Sequence, residues 1–492
     1  MLPLVNPQHL VSNKSFENPP NSSSQEGLAL LIAVVALSVF SLLGLYVTLN
    51  ATTEVRISEN YESRQQAGLA ARAGLNHARE LIRGLELNDL LRGPDGLKPD
   101  PSTYPSTLSG RYAFRNWVNW STARSLNILD PAGAVSGLPD DGLLNNGSGT
   151  VLIPATGIAL TAPNPYSAGT IITARYFVKV TDNDDGDNDP FTDKDGIVIV
   201  RSTGVAQTLR ETGGGAVRAN SVAVYEARFK RSQTFGIHAP IILEGDPVAP
   251  AKSTNMFGGN SFSIDGGAYP YGIGTIDTNT SNTSYPDAQV KANLDPKNQY
   301  DHVTGSCCAS TGGAVGDITG TLTGDQLLLL DPAYLWNFIY NVIPKFADSV
   351  FQGDQQWSGN SQTNPQPYLG TLQDPRLTYV NGDLAFGGNV SGAGVLVVNG
   401  ELKGNGKNDW TGLILVIGKG VANMSGMNIG IDGGIYVVSL QAGSPPTFGA
   451  TTQFSVGGNS NIRATETGLR LGIESLPPIE LSQREVTNSM DP

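Results

Sequence analysis

Residues 27–50 read GLALLIAVVALSVFSLLGLYVTLN, and none of them is charged. An α-helix rises about 1.5 Å per residue, so the run spans roughly 30 Å, the hydrocarbon thickness of a bilayer. It is too long for the core of a secretory signal, and no A-x-A cleavage site follows it. Burial in a large protein core is the competing reading. The helical pattern continues over residues 51–84, ATTEVRISENYESRQQAGLAARAGLNHARELIRG. There Ala, Leu and Ile recur at three and four, no proline intervenes, and only Gly68 and Gly74 are weak points. The pattern predicts one continuous helix from about Gly27 to Arg83. Its first half would face lipid or other helices, and its second half would be amphipathic and pack on a head domain.

At 492 residues the chain exceeds one ordinary domain. A formal charge of -13 argues against nucleic acid as a partner, because backbone binding needs clustered Lys and Arg. Only 15% of residues are charged and 59 are Gly, a composition that suits a secreted β-rich protein with tight turns. The two cysteines, Cys307 and Cys308, are adjacent and cannot build a disulfide framework. They read as loop thiols, with a vicinal disulfide or part of a metal shell as lesser alternatives.

The charge-free run is followed by Thr52, Thr53, Glu54, Arg56, Asn60, Arg64 and then AGLAARAGL. Together these resemble the N-terminal region of PilX-type minor pilins, the accessory subunits of type IV pili. The resemblance covers about sixty residues, from Gln25 to Arg83. It implies cleavage by a prepilin peptidase after Gly27, a mature chain starting at Leu28, and filament packing through Ile32, Glu54 and Arg56. Ile32 stands where major pilins carry a Glu that neutralises a neighbour's N-terminal amine, which favours a minor or tip subunit. The leader holds Lys14 against Glu17 and Glu26, so it gives almost no orientation signal, and Arg72 replaces the family's usual acid.

Residues 1–26 are polar and Pro/Asn/Ser-rich and read as a disordered leader. Residues 27–84 form the pilin-like helix. Residues 85–232 read as a small β-rich head, with prolines 94, 99, 101 and 105 in loops and strands expected over 110–118, 174–180, 196–201 and 222–231. From 233 to 445 short apolar runs alternate with Gly and Asn. VLVV, LILV and IYVV follow Gly394, Gly412 and Gly434 at a spacing of about twenty residues. That period suits rungs of a β-solenoid; hairpins turning at Asn381-Gly382 and Asn399-Gly400 would give a sandwich instead. A helical insertion of about 270–375 is expected to cap the ladder. Its helix should run from about Pro332 to Phe351, N-capped by Asp331 and split at Pro344. Residues 446–492 read as a tail with weak strand character.

The strongest site signal is TDNDDGDNDPFTDKDG, residues 181–196. It packs Asp182, Asp184, Asp185, Asp187, Asp189, Asp193 and Asp195 into fourteen residues. Such carboxylates repel unless a cation is present, and Ca2+ accepts six to eight hard oxygens. Pro190 stands where an EF-hand needs Gly, so a solvated acidic hairpin loop is the alternative. The histidines His9, His77, His238 and His302 share no zinc spacing, and no nucleophile elbow or phosphate loop occurs. Tyr269, Tyr271, Trp357, Trp410 and Tyr436 could line a glycan-binding face. Asp265, Asp383, Glu401, Asp409 and Asp432 are scattered among turns, which disfavours a paired-carboxylate enzyme.

The fold class expected is therefore α+β, mainly β: a long N-terminal helix, a small head and a Gly/Asn-rich solenoid. The function expected is a non-enzymatic minor pilin, held in the inner membrane and then displayed on a pilus or cell surface. Its partners would be other pilin subunits, inner-membrane lipid and a surface glycan or envelope ligand. Calcium is the only cofactor these residues suggest.

Overall fold

A computed structural model describes residues 23–92, 118–136, 150–163, 168–183, 185–186, 189, 191–212, 215–236, 239–250, 255–259, 261–278, 285–307, 313–359, 362–363 and 365–487. Most of the leader, the prolines 94–105 and the strand expected over 110–117 lie outside these residues. The chain forms two compact units, Met1–Ser63 and Arg64–Pro492. Helix α1 (Ser23–Ile82) begins four residues before the expected start, inside the segment read as leader.

Within the second unit Ala67, Ala70, Ala71, Leu75, Ala78 and Ile82 of α1 are buried, at the three–four spacing of one helix face. They pack on an antiparallel sheet whose first four strands are β1 (Ile158–Pro163), β2 (Thr170–Asp182), β3 (Ile197–Thr212) and β4 (Gly215–Lys230). The small side chains let helix and sheet backbones approach closely. A Cβ on Gly204 of β3 would sit 2.5 Å from the backbone N of Ala71.

The chain then enters a parallel ladder. It contributes β5 (Ile241–Glu244), β6 (Asp246–Val248), β7 (Ser263–Asp265), β8 (Ile273–Ile276), β9 (Val303–Thr304) and β10 (Val315–Asp317). Next come β11 (Ser349–Gln352), β12 (Gln355–Trp357), β13 (Arg376–Asn381), β14 (Leu384–Phe386), β15 (Val390–Val398) and β16 (Glu401–Gly404). The last members are β17 (Gly406–Gly418), β18 (Val421–Met424), β19 (Met427–Gln441), β21 (Thr451–Val456) and β22 (Asn461–Arg463), while the short β20 (Thr447–Phe448) pairs antiparallel with β19.

The main sheet runs β10-β8-β5-β19-β17-β15-β13-β11, and a second runs β12-β14-β16-β18-β21-β6. The order is not the order of synthesis. The ladder starts in its middle at β5, grows outward to β10, restarts at the far end with β11, and returns until β19 pairs with β5, Ile435 beside Ile241. Residues 270–375, expected as a capping insertion, thus also supply four of these sheet strands.

Side chains of the main sheet alternate between two cores. Leu396, Ile414 and Ile435 face the second sheet with Phe386, Leu402 and Phe454. Val395, Leu413 and Val438 face a helical layer with Leu335, Phe338, Ile339, Ile343 and Leu469. The sheet is buried on both faces, which explains its continuous apolar runs. Gly394, Gly412 and Gly433 stack in register with φ of 111°, 125° and 137°, so the third member of the glycine column is Gly433 rather than Gly434. Asn381-Gly382 and Asn399-Gly400 are corners between successive parallel strands, not hairpins. Asn399 Nδ2 donates to Asn381 Oδ1 at 2.8 Å, and Asn381 Nδ2 donates to Gln352 Oε1 at 2.9 Å.

The expected helix after Asp331 is shorter than predicted. Asp331 does cap it, accepting from Ala333 N, and the helix passes through a π-turn at Phe338–Val342 before ending at Phe346. Ser349 onward is strand because its peptide groups are needed by β13.

The segment read as a tail is structural. Helix Glu466–Glu474 covers the main sheet, and β23 (Ile479–Val486) completes the first sheet beside β4. Its outward residues are polar and exposed, which masked it in the sequence.

Candidate functional site

Every Leu, Ile, Val, Phe and Tyr between residues 28 and 49 is 49–72% exposed. These include Leu28 and Ile32; Glu54 and Arg56 beyond the run are exposed as well. Gly27 lies inside α1. The Ser and Thr hydroxyls of the run are satisfied within the helix. Ser38 donates to Val35 O, Ser41 to Leu37 O and Thr48 to Gly44 O, at 2.7–2.8 Å. Thr52 and Thr53 both donate to Leu49 O. A helix with no outward polar demand is what hydrocarbon requires. Among the described residues, this is the one helix long and apolar enough to cross a membrane.

The acidic loop joins β2 to β3. Asp184, Asp187 and Pro190 lie outside the described residues. Asp182 is buried at the end of β2. Asp189 accepts from Phe191 N and the Thr192 hydroxyl, at 3.1 and 2.9 Å. Asp193 Oδ1 accepts from Gly196 N and Ile197 N, and Asp195 accepts from Asn183 Nδ2 and Ile197 N. The loop is thus closed by carboxylates bonding its own donors. No group of three or more His, Cys, Asp or Glu positioned to hold a metal occurs among the described residues. Asp185 is near the loop tip and does not converge with Asp193 and Asp195 into such a group.

The loop's far end lines a cleft of about 510 Å³ between the two β parts. Its walls are Glu86, Asp193, Asp195, Arg231, Tyr269 and, from the C-terminal helix, Glu466, Arg470 and Glu474. Arg231 is the hub. Its guanidinium donates to the Ile82 carbonyl at 3.2 Å and to the Leu85 carbonyl, capping the end of α1 where orphan carbonyls and the helix dipole favour a cation. It also lies 3.6 Å from Glu474, which Arg470 approaches equally closely. Burial lowers the Arg231 pKa, against the raising effect of Glu474, Asp193 and Glu86. Burial, then the charge of Asp195, pushes Asp193 up to about 6 despite its two backbone hydrogen bonds. Burial likewise raises Glu474. The cleft is acid-rich but largely self-neutralised.

The proposed glycan platform does not assemble. Trp357, Trp410 and Tyr436 are each 3% exposed and belong to the cores. Tyr269 and Tyr271 are partly buried beside the helical layer. The scattered acids pair with neighbouring bases: Asp383 with Lys419, Glu401 with Lys403, Asp409 with Lys407 and Asp432 with Arg463. Asp265 accepts from Thr304 and Gly267 N. His77 Nδ1 bonds the Tyr176 hydroxyl and His302 Nδ1 the Phe262 carbonyl, both at 2.8 Å, which fits structural roles. His9, His238 and Cys308 lie outside the described residues; Cys307 is partly buried.

Arg231 and Glu474 escaped the sequence reading because their partners lie far away in the chain. The only local sign was a Lys-Arg pair closing β4. No family model matches this chain, and no curated protein or solved structure matches it significantly.

Proposed function

We propose that this protein is a minor, accessory or tip pilin subunit of a type IV pilus or related filament, acting in assembly, adhesion or both. The observation that carries the reading is the exposed apolar length of α1. Burying each large side chain is worth about 1.5–3 kcal/mol, so fifteen exposed together demand lipid or neighbouring helices as cover. We read the in-register parallel ladder as a β-solenoid carried beyond the membrane, with an envelope component as its ligand. The Ala-rich turn of the pilin resemblance has a matching physical role: Ala67, Ala70 and Ala71 are the close contacts between helix and sheet.

The alternative is a membrane-tethered surface protein that never enters a filament. N-terminal sequencing of protein sheared from cell surfaces separates the two. A mature chain starting at Leu28 and recovered with filaments supports the pilin reading. An uncut chain found only in membranes supports the tether. Full-length protein soluble without detergent would remove both.

A further inference from the structure

The ladder ends at β11 and β12, and this end carries the pattern that the next two corners of the ladder use. Gln352-Gly353-Asp354, Asn381-Gly382-Asp383 and Asn399-Gly400-Glu401 stack on one another. The stack is held three ways. The amides form the ladder Asn399 to Asn381 to Gln352. The acids accept from the next rung's backbone: Glu401 N donates to Asp383 Oδ1 at 2.8 Å, and Asp383 N to Asp354 Oδ1 at 2.9 Å. The glycines touch: a Cβ on Gly400 would lie 2.5 Å from Gly382 C, and one on Gly382 would lie 2.5 Å from Gly353 C.

At Gly353 the stack stops, with no atom of the described residues within 4 Å of where a Cβ would project. Gly353 N and Gln355 N both donate inward, to Asn381 O and Asp383 O. Alternate residues of a strand direct their peptide groups to opposite sides, so Val350, Gln352, Asp354 and Gln356 aim theirs outward. These four are exposed. Gln352 spends its Oε1 on Asn381, leaving its Nε2 hydrogens without a partner among the described residues. Ser349–Gln352 carries neither the charge nor the proline that usually blunts an edge.

We propose that this edge docks an extended segment of a partner protein, added parallel to β11 and β12 and bearing Asn or Gln and, two residues on, Asp or Glu. The backbone would supply the affinity and the corner tripeptide the register. A Cβ on Gly400 projects onto Gly382 and one on Gly382 onto Gly353, so a side chain on Gly353 would project onto the added segment, and that glycine leaves room for it.

The test uses full-length protein in detergent micelles and a fluorescein-labelled peptide RLTYVNGDLAF, the sequence of residues 376–386. Anisotropy should show saturable binding, weakened at least tenfold by Asn381→Ala together with Asp383→Ala in the peptide. Val350→Pro and Gln356→Pro in the protein remove only outward N–H groups and should abolish binding while circular dichroism stays unchanged. Should either variant fail to fold, the peptide pair still decides, because it leaves the protein untouched. Equal binding of both peptides, or none at millimolar concentration, would overturn the proposal. So would self-association of the wild type that Val350→Pro abolishes, since the edge would then be filled by a second copy.

Discussion

Arg484 of the C-terminal strand donates to Glu226 Oε1 at 2.9 Å, while Arg201 holds the other oxygen of the same carboxylate at 2.8 Å. The three side chains tie β3, β4 and β23 together across the first sheet. Arg201 and Glu226 are almost wholly buried there.

Glu226→Gln should therefore be costly, because it leaves Arg201 as a buried charge without its counter-ion. Loss of such a partner costs about 3–5 kcal/mol. Arg484→Ala should cost less, since that side chain is 45% exposed and its attraction is screened by water. Urea unfolding at pH 7 measures both. Burial raises the Glu226 pKa, but the bonds and charges of Arg201 and then Arg484 outweigh it and hold the group below its ordinary value. The stabilisation is thus present above the unfolded carboxylate's range and lost as pH falls through the lower folded value. A Glu226→Gln chain should lose part of the wild type's acid-induced fall in stability.

Glu244 behaves oppositely. It sits at the seam where β5 meets β19, accepting from the Tyr436 hydroxyl, and burial pushes it up to about 8 although that hydrogen bond opposes the shift. Its proton is favoured in the folded chain, so stability is full below the unfolded value near 4.5 and declines as pH rises through 8. The slope from one such group is at most about 1.4 kcal/mol per pH unit. Glu244→Gln should raise the melting temperature at pH 8 and leave it nearly unchanged at pH 4. An equal shift at both pH values would contradict this.

Asp193 follows the same sign on a smaller scale. Its pKa near 6 means that ionisation in the loop is unfavourable, first from burial and then from Asp195. Asn keeps the Oδ1 that receives Gly196 N and Ile197 N. Asp193→Asn should stabilise above pH 6 and have little effect below pH 4, read by thermal scans across that range.

Two glycines allow tests of close approach. Gly412→Val places a branched side chain at φ 125°, against the Gly394 backbone of the previous rung. Gly204→Val pushes β3 off Ala67 and Ala71 of α1. Each should cost several kcal/mol, the range for strain and overpacking at buried sites. By contrast Gly353→Ala, with nothing nearby, should cost only its positive-φ strain of about 1 kcal/mol. Chemical denaturation of the three variants would rank them; a Gly353 variant as damaged as Gly412→Val would refute the open-edge geometry.

Local pattern made much of this fold readable. Residues 27–84 announced α1 because apolar spacing and the absence of proline are properties of consecutive residues. Gly394 and Gly412 revealed neighbouring rungs because their separation equals one circuit of the ladder. Gly433 was mistaken for Gly434, since only pairing with Leu413 and Ile414 shows which glycine continues the column. Distant partnerships were not readable. Nothing in the sequence says that Ile435 lies beside Ile241, or that Glu474 answers Arg231. Trp357 and Trp410 looked like surface platforms because turn-rich surroundings hide which face of a strand an aromatic occupies. The acidic loop was legible as a charge concentration, whereas the use of those carboxylates by loop N–H groups is a matter of three-dimensional closure.

The seam between β5 and β19 also sets a schedule for biosynthesis. About two hundred residues must leave the ribosome after Ile241 before its lateral neighbour Ile435 exists. Until then the nascent chain carries a bare strand flank in its centre, a site for holding chaperones. A product shortened anywhere before residue 435 keeps that flank for life, and one shortened before 479 also lacks the strand that seals β4. Premature termination should therefore yield sticky, protease-prone fragments instead of smaller working proteins.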